Sequence, residues 1–415
     1  MEQIRLTKYE VEDALINLKQ VTLEVTDACN LRCKYCGYGD LYFGYDKRED
    51  KYLSFDMVKT LIDYLVDFWK SKKATSQIPK TYIGFYGGEP LMNMDLIKQT
   101  VEYVENLKIN RNFVFAMTTN AMLLDRYMDY IAGKKFNTLI SLDGNSKGHS
   151  YRVNHSGRNS FDTVYRNVKL LQQKHPEYFV EHVNFNSVLH NRNSVETTYT
   201  FIKNEFGKTP AMSELNNSGI RSDKIEEFNR TYRNKAESLL QSENYEKLSE
   251  DIFVGEPQTE QLLLFLHQYS GNTFRNYTDL FIDESELKYR STGTCTPFGK
   301  KLFLTVNGKI IQCERIDHNF ALGSVENGRV NLDLDYVVNR FNSYLDKLSK
   351  QCTVCHRKKS CIQCLYYIPD IDGDKPVCHG FMNKNDFERF QSYCLSHLAK
   401  KPQLYEKLMT EVLVE

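Results

Sequence analysis

The eleven cysteines of this 415-residue chain fall into two groups. Cys29, Cys33 and Cys36 lie near one end; Cys295, Cys313, Cys352, Cys355, Cys361, Cys364, Cys378 and Cys394 lie near the other. None occurs from 37 to 294. Thiols serving as small core hydrophobes would be scattered. Disulfides are disfavoured in the compartment this chain implies. The opening MEQIRLTKYEVED has no apolar signal core, and no apolar run approaches the ~18 residues of a membrane span. The chain is therefore expected to be cytoplasmic, where thiols stay reduced, and an odd count cannot pair fully. Close spacings such as Cys352-x2-Cys355 let one turn aim two sulfurs at one centre, so a metal or Fe–S cluster is the expected occupant.

Composition narrows the rest. Fifty-four Lys and Arg balance fifty-four Asp and Glu, so no basic excess marks a nucleic-acid binder. Hydrophobic content of 41% and charged content of 26% exclude wholesale disorder.

Strand and helix patterns alternate. Short β-rich runs at 21–25, 81–86, 113–117, 138–142 and 182–189 are separated by helical periodicity at 54–70, 95–107, 123–131, 161–174 and 195–205. This order predicts a parallel sheet with crossover helices. The unusual residues fall just after strands, which in a (β/α) barrel is the face where active sites are built. Residues 211–292 read as a polar helical bridge, and Asn307-Gly308 between two β-rich runs predicts a hairpin. Residues 385–415 read as a C-terminal helix.

Cys29-x3-Cys33-x2-Cys36 places three thiolates on one loop. Three ligands leave one iron of a [4Fe–4S] cube open, whereas structural zinc wants four. With Tyr35 before the last cysteine, this segment resembles the radical S-adenosylmethionine (SAM) enzymes. In that family the open iron chelates SAM, and reductive cleavage yields a 5′-deoxyadenosyl radical that removes a substrate hydrogen atom. Further segments match: Gly87-Gly88-Glu89-Pro90, Thr118-Thr119-Asn120 with Ala121 in place of the usual Gly, Ser141-Leu142-Asp143-Gly144, Tyr151-Arg152, Gly157 to Asp162, and Asn186-Ser187-Val188-Leu189.

The resemblance assigns Gly87, Gly88 and Glu89 to the SAM amino group, Ser141 and Arg152 to its carboxylate, and Thr119 or Asn120 to the ribose. It places Tyr35 at the adenine edge and Asn186 and Leu189 on the cofactor's fifth strand. The implied fold is a partial (β/α)6 barrel over 1–210.

The later cysteines, over 293–384, resemble the SPASM domain attached to radical SAM peptide-modifying enzymes. Cys361 and Cys364 are separated by two residues where the family has three. The resemblance implies auxiliary cluster I on Cys295, Cys313 and Cys364, and auxiliary cluster II on Cys352, Cys355, Cys361 and Cys378. Cluster I then has an open iron or a fourth ligand in Cys394, whose alternative is an ordinary half-buried thiol on a helix. The implied cofactors are SAM and three [4Fe–4S] clusters; a pair of zinc sites is the competing occupancy of the C-terminal cysteines.

The implied function is modification of a ribosomally made precursor peptide, with an oxidative C–C, C–O or C–S side-chain crosslink as the expected reaction. The alternative is an anaerobic sulfatase-maturating activity that makes formylglycine, with Asp143 as the position expected for a base. An Fe–S electron-transfer protein is a further alternative. The short stretch before the first strand implies a separate leader-binding protein, or leader recognition by 211–292. A flavodoxin or ferredoxin is the expected reductant.

Overall fold

The computed structural model describes residues 4–70, 74, 79–269, 290 and 292–412, so 270–289 and 291 of the expected bridge lie outside the described residues. The chain divides into two compact units, one of residues 8–245 and 296–337, the other of 1–7, 246–295 and 338–415.

In the first unit α1 (Lys8–Ile16) leads to β1 (Gln20–Thr26), β2 (Leu31–Cys33), α2 (Phe55–Trp69), β3 (Lys80–Gly87), α3 (Met94–Glu105), β4 (Asn112–Thr119) and α4 (Leu124–Gly133). There follow β5 (Asn137–Ser141), β6 (Arg152–Asn154), α5 (Phe161–Lys174), α6 (Pro176–His182), β7 (Val183–Val188), α7 (Val195–Phe206) and β8 (Ala211–Ser213). Strands β1, β3, β4, β5, β7 and β8 are parallel neighbours in that order, the expected six-stranded β/α array. Helices α8 (Ile225–Thr231) and α9 (Lys235–Leu240) come next.

Alternation along the strands explains the layering. In β1, Val21, Leu23 and Val25 are fully buried, while Gln20 and Thr22 between them line a cavity of about 500 Å³. In β7, Val183 and Phe185 are buried and Asn184 and Asn186 line the same cavity. This is the period of two that gives a strand one apolar and one polar face. The helices supply the matching stripe. In α2, Val58, Leu61, Ile62 and Leu65 are fully buried, each worth ~1.5–3 kcal/mol relative to exposure. Ser54 caps this helix by accepting from the Met57 amide at 3.3 Å.

The hairpin at Asn307-Gly308 forms, but as part of the same sheet. Strand β9 (Lys301–Leu304) runs parallel to β1, and β10 (Lys309–Ile311), β11 (Gly323–Glu326) and β12 (Arg329–Asn331) extend it antiparallel to ten strands. Residues 296–337, with Cys313 among them, therefore belong to the same compact unit as the barrel strands. In the turn only Gly308 is left-handed (φ +80°), and its amide donates to Thr305 O at 2.9 Å. A two-residue type I′ turn would need two such residues.

The other unit is helical, with α10 (Tyr245–Ile252), α11 (Pro257–Tyr269), α12 (Leu334–Val354), α13 (Lys384–Lys400) and α14 (Gln403–Glu411). The single helix expected over 385–415 is two, because Pro402 interrupts it. Leu262, Phe265, Leu266 and Leu408 form an apolar cluster that encloses Cys394, which is 1% exposed.

Candidate active site

The loop after β1 turns back on itself within a few residues. The Cys36 amide donates to Cys33 O at 3.2 Å and the Gly39 amide to Cys36 O at 2.8 Å. Strand β2 pairs antiparallel with β6, setting Cys33 opposite Arg152. Cys29, Cys33 and Cys36 are all free thiols and line one cavity of about 160 Å³ together with Glu89, Ser141 and Arg152. Burial pushes the Cys29 thiol up to about 11 and Cys33 to about 12. A buried thiol of this kind becomes a stable thiolate only when a cation replaces its proton, which is what ligation to iron does. Three convergent thiols with no disulfide among them fit a cluster with one open iron.

The strand-end motif after β3 is shaped by close backbone passage. A Cβ on Gly87 (φ +124°) would meet Thr26 O at 2.2 Å, and one on Gly88 would meet Ala28 O at 2.0 Å. Only glycine allows these contacts. They direct Glu89 into the site, where it is fully buried and accepts from Thr119 Oγ1 (2.6 Å), the Asn120 amide (2.8 Å) and the Leu91 amide (3.1 Å). Desolvation raises its carboxyl to about 7 despite these donors. Asn120 Nδ2 donates to Asn30 Oδ1 at 2.7 Å and approaches Cys29 Sγ at 3.8 Å. Ala121, where the family has Gly, is left-handed at φ +61°.

Asp143 is fully buried. Arg152 clamps it through Nε (2.9 Å) and Nη2 (3.1 Å), the Val188 amide donates to it at 2.9 Å, and the Tyr35 hydroxyl donates to it as well. The Arg152 guanidinium holds this carboxyl far below the usual carboxylate range. A group with its lone pairs so committed is a poor proton acceptor, so this geometry favours Asp143 as an anchor for Arg152 and Tyr35 over the expected base. Tyr35 lies under Arg152 (5.4 Å to the ring centroid) and stacks on His190 at 5.5 Å.

Of the residues expected at the cofactor, Tyr35, Gly87, Gly88, Glu89, Thr119, Asn120, Ser141 and Arg152 line the thiol cavity. Asn186 and Leu189 do not. Asn186 pairs with Ser141 across β5 and β7 but lines the neighbouring 500 Å³ cavity. Leu189 is fully buried, with its amide bonded to Ser213 O at 2.8 Å.

Arg48 and Glu314 are among the lining residues that carried no motif. Arg48 places Nη2 3.4 Å from Cys36 Sγ, with its guanidinium 4.6 Å from the Tyr38 ring centroid. Glu314, paired with Lys301 at 2.9 Å, lines both cavities. Its place next to Cys313 was the available signal.

The later cysteines divide between the units. Cys352, in the last turn of α12, is pushed up to about 12 by burial and by the neighbouring Cys361, Cys378 and Cys355 thiols. The Met382 amide donates to Cys355 Sγ at 3.5 Å, and the Cys378 amide to Gln351 Oε1 at 3.0 Å. Cys364 has Cys295 as its thiol neighbour, beside Thr294, whose Oγ1 accepts from the Leu365 amide at 2.7 Å. Cys313 belongs to the barrel unit. Among the described residues no three His, Cys, Asp or Glu side chains are gathered as for a single metal ion. Cys394, buried among apolar side chains, packs as a structural thiol.

Residues 23–202 match the radical SAM superfamily. The chain is similar to a cysteine-type anaerobic sulfatase-maturating enzyme of Clostridium novyi, 29% identical over 46% of this chain and 49% of that protein. It is also similar to the radical SAM cyclopropyl synthase TigE of Paramaledivibacter caminithermalis, 26% identical over 45% of this chain and 38% of that protein. These matches span between about two fifths and half of the relatives' lengths. In fold, the solved structure of native anSMEcpe with bound AdoMet matches 94% of this chain and 99% of its own, at 16% identity and a TM-score of 0.61. With the three thiols, Glu89 and Arg152 lining one cavity, residues 23–202 are a radical SAM domain.

Proposed function

We propose that this chain uses a SAM-derived radical to abstract hydrogen from a peptide, and that the product is a side-chain crosslink. The observation that carries the radical step is the single cavity holding Cys29, Cys33 and Cys36 beside Glu89, Ser141 and Arg152. When bound, the cluster and SAM supply a 5′-deoxyadenosyl radical. Cys29, Cys33 and Cys36 hold the cluster. Glu89, ionised, faces the SAM ammonium, and Arg152, with Ser141, receives its carboxylate. Asp143 and the Tyr35 hydroxyl keep Arg152 in place. Glu314 lines both cavities, and Lys301 beside it holds its carboxyl below the usual range, so it presents a fixed negative charge to a substrate.

Cys352, Cys355, Cys361 and Cys378 are proposed to hold one auxiliary [4Fe–4S] cluster, and the neighbouring thiols Cys295 and Cys364 to contribute to another. Such centres would accept the electron left when a substrate radical closes a new bond. The similarity to a cyclopropyl synthase, a carbon–carbon bond former by its name, supports bond formation. The similarity to a sulfatase-maturating enzyme supports the second reading, formylglycine formation.

Co-expression with short peptides encoded beside the gene, followed by mass spectrometry, separates these. A crosslinked peptide is lighter by two hydrogen atoms and resists hydroxylamine. Formylglycine reacts with hydroxylamine, and from Cys it also replaces sulfur by oxygen. SAM cleavage without either product, on every peptide so encoded, would count against peptide modification.

A further inference from the structure

We propose that Arg48 is a positioning cation for the cluster: its guanidinium supports the electron-rich state of a cube on Cys29, Cys33 and Cys36 and so sets how easily that cube is reduced. The inference rests on the radical SAM reading but concerns a residue outside every motif of the domain.

Arg48 stands where two cavities meet. The first, of about 160 Å³, holds Glu89 and Arg152; the second, of about 530 Å³, lies along Arg32, Lys34, Asp40 and His155. Both are lined by Cys29, Cys33, Cys36 and Arg48. The Nη2 donor points at Cys36 Sγ from 3.4 Å, and the guanidinium lies 4.6 Å from the Tyr38 ring centroid. Nε is buried with no hydrogen-bond partner among the described residues. No carboxylate forms an ion pair with Arg48 among the described residues; its nearby negative partners are the Cys36 and Cys29 sulfurs.

A half-buried cation without a carboxylate is costly unless an anion faces it. A cube bearing three thiolates provides that anion. It carries one net negative charge when oxidised and two after a low-potential donor, such as dithionite or a reduced flavoprotein, delivers one electron. No proton moves, because guanidinium stays charged. The second negative charge strengthens the attraction to Arg48, so the reduced state gains more than the oxidised one. Hydrogen bonds and charge at a cluster sulfur are the protein's levers on its potential.

The test is a redox titration of the reconstituted full chain, following the SAM-perturbed electron paramagnetic resonance signal of the reduced cube. Arg48→Met should lower the reduction equilibrium constant about tenfold, a shift of about 59 mV to more negative potential for a one-electron couple. Arg48→Lys should stay within about twofold of wild type, since the charge remains.

Wild-type potential in Arg48→Met overturns the proposal, as does an equal shift in Arg48→Lys. An unmoved potential with weakened SAM binding would make Arg48 a SAM ligand instead, and also overturns it. If Arg48→Met fails to load iron, Arg48→Gln is read by the same criteria. A wild-type chain that loads no cube on these cysteines would sink the radical SAM reading itself, whereas a loaded cube with an unmoved potential sinks only the role of Arg48.

Discussion

At the scale of single residues, Glu89 and Asp143 are both fully buried carboxyls, yet their surroundings drive them apart. Glu89 has three neutral donors and no cation, so burial prevails and its carboxyl rises to about 7. Asp143 has Arg152, so the charge prevails. For Glu89 the sign follows directly. Above pH about 7 the carboxylate is available to an ammonium; below it a proton takes that place. SAM binding should therefore weaken as pH falls through 7, and the slope should flatten in Glu89→Gln, as measured by equilibrium dialysis.

Asp143→Asn removes one member of a buried ion pair, which costs ~3–5 kcal/mol in folding stability. Chemical denaturation should show that loss, together with weaker SAM binding. Unchanged stability with intact SAM cleavage but no peptide product would restore Asp143 as a base. Ser-Leu-Asp-Gly was legible as a motif. The role of its Asp was not, because Arg152 and the Val188 amide reach it only through tertiary structure. Arg48 was illegible for the same reason: a loop residue twelve positions past Cys36 returns to its sulfur without any periodic signal. Ala121 shows the opposite. The departure from Gly marked a position that is left-handed in the fold, at φ +61°.

At the scale of elements, hydrophobic periodicity carried most of the architecture. The β-branched run at 21–25 predicts a buried strand and the stripe Val58, Leu61, Ile62, Leu65 a helix with one buried face, and both are found. What local pattern could not supply was the parallel pairing of β9 with β1, since strands nearly three hundred residues apart leave no mark of partnership in either. That pairing joins the hairpin to the barrel, and Gly308 is the residue on which the hairpin turns. A Cβ there would lie 2.5 Å from Val325 O on β11, and φ is +80°. Gly308→Ala should cost ~1–3 kcal/mol through backbone strain. It should also disturb the Val306 amide bond to Glu24 at 2.9 Å. Thermal unfolding measures the first effect, and hydrogen exchange at Val306 the second. A fully stable variant would mean that the turn relaxes without the sheet.

At the scale of the whole molecule, the cysteines divide by unit: Cys29, Cys33, Cys36 and Cys313 with the barrel, the other seven with the helical unit. The barrel triad and the set Cys352, Cys355, Cys361 and Cys378 fall in different units, so these two proposed centres can be tested by separate mutations. Cys33→Ala should abolish SAM cleavage, because it removes a ligand at the thiol cavity. Cys352→Ala acts on a thiol whose neighbours are Cys355, Cys361 and Cys378 and not the barrel triad. It should lower anaerobically loaded iron from ~11–12 per chain by ~4 while leaving uncoupled SAM cleavage intact. Peptide product should fall much further, because a substrate radical would lose an electron acceptor. If Cys352→Ala instead released zinc and kept its iron, soft thiolate ligation there would be serving structure, and the electron left by bond formation would have to leave by way of the barrel cluster alone.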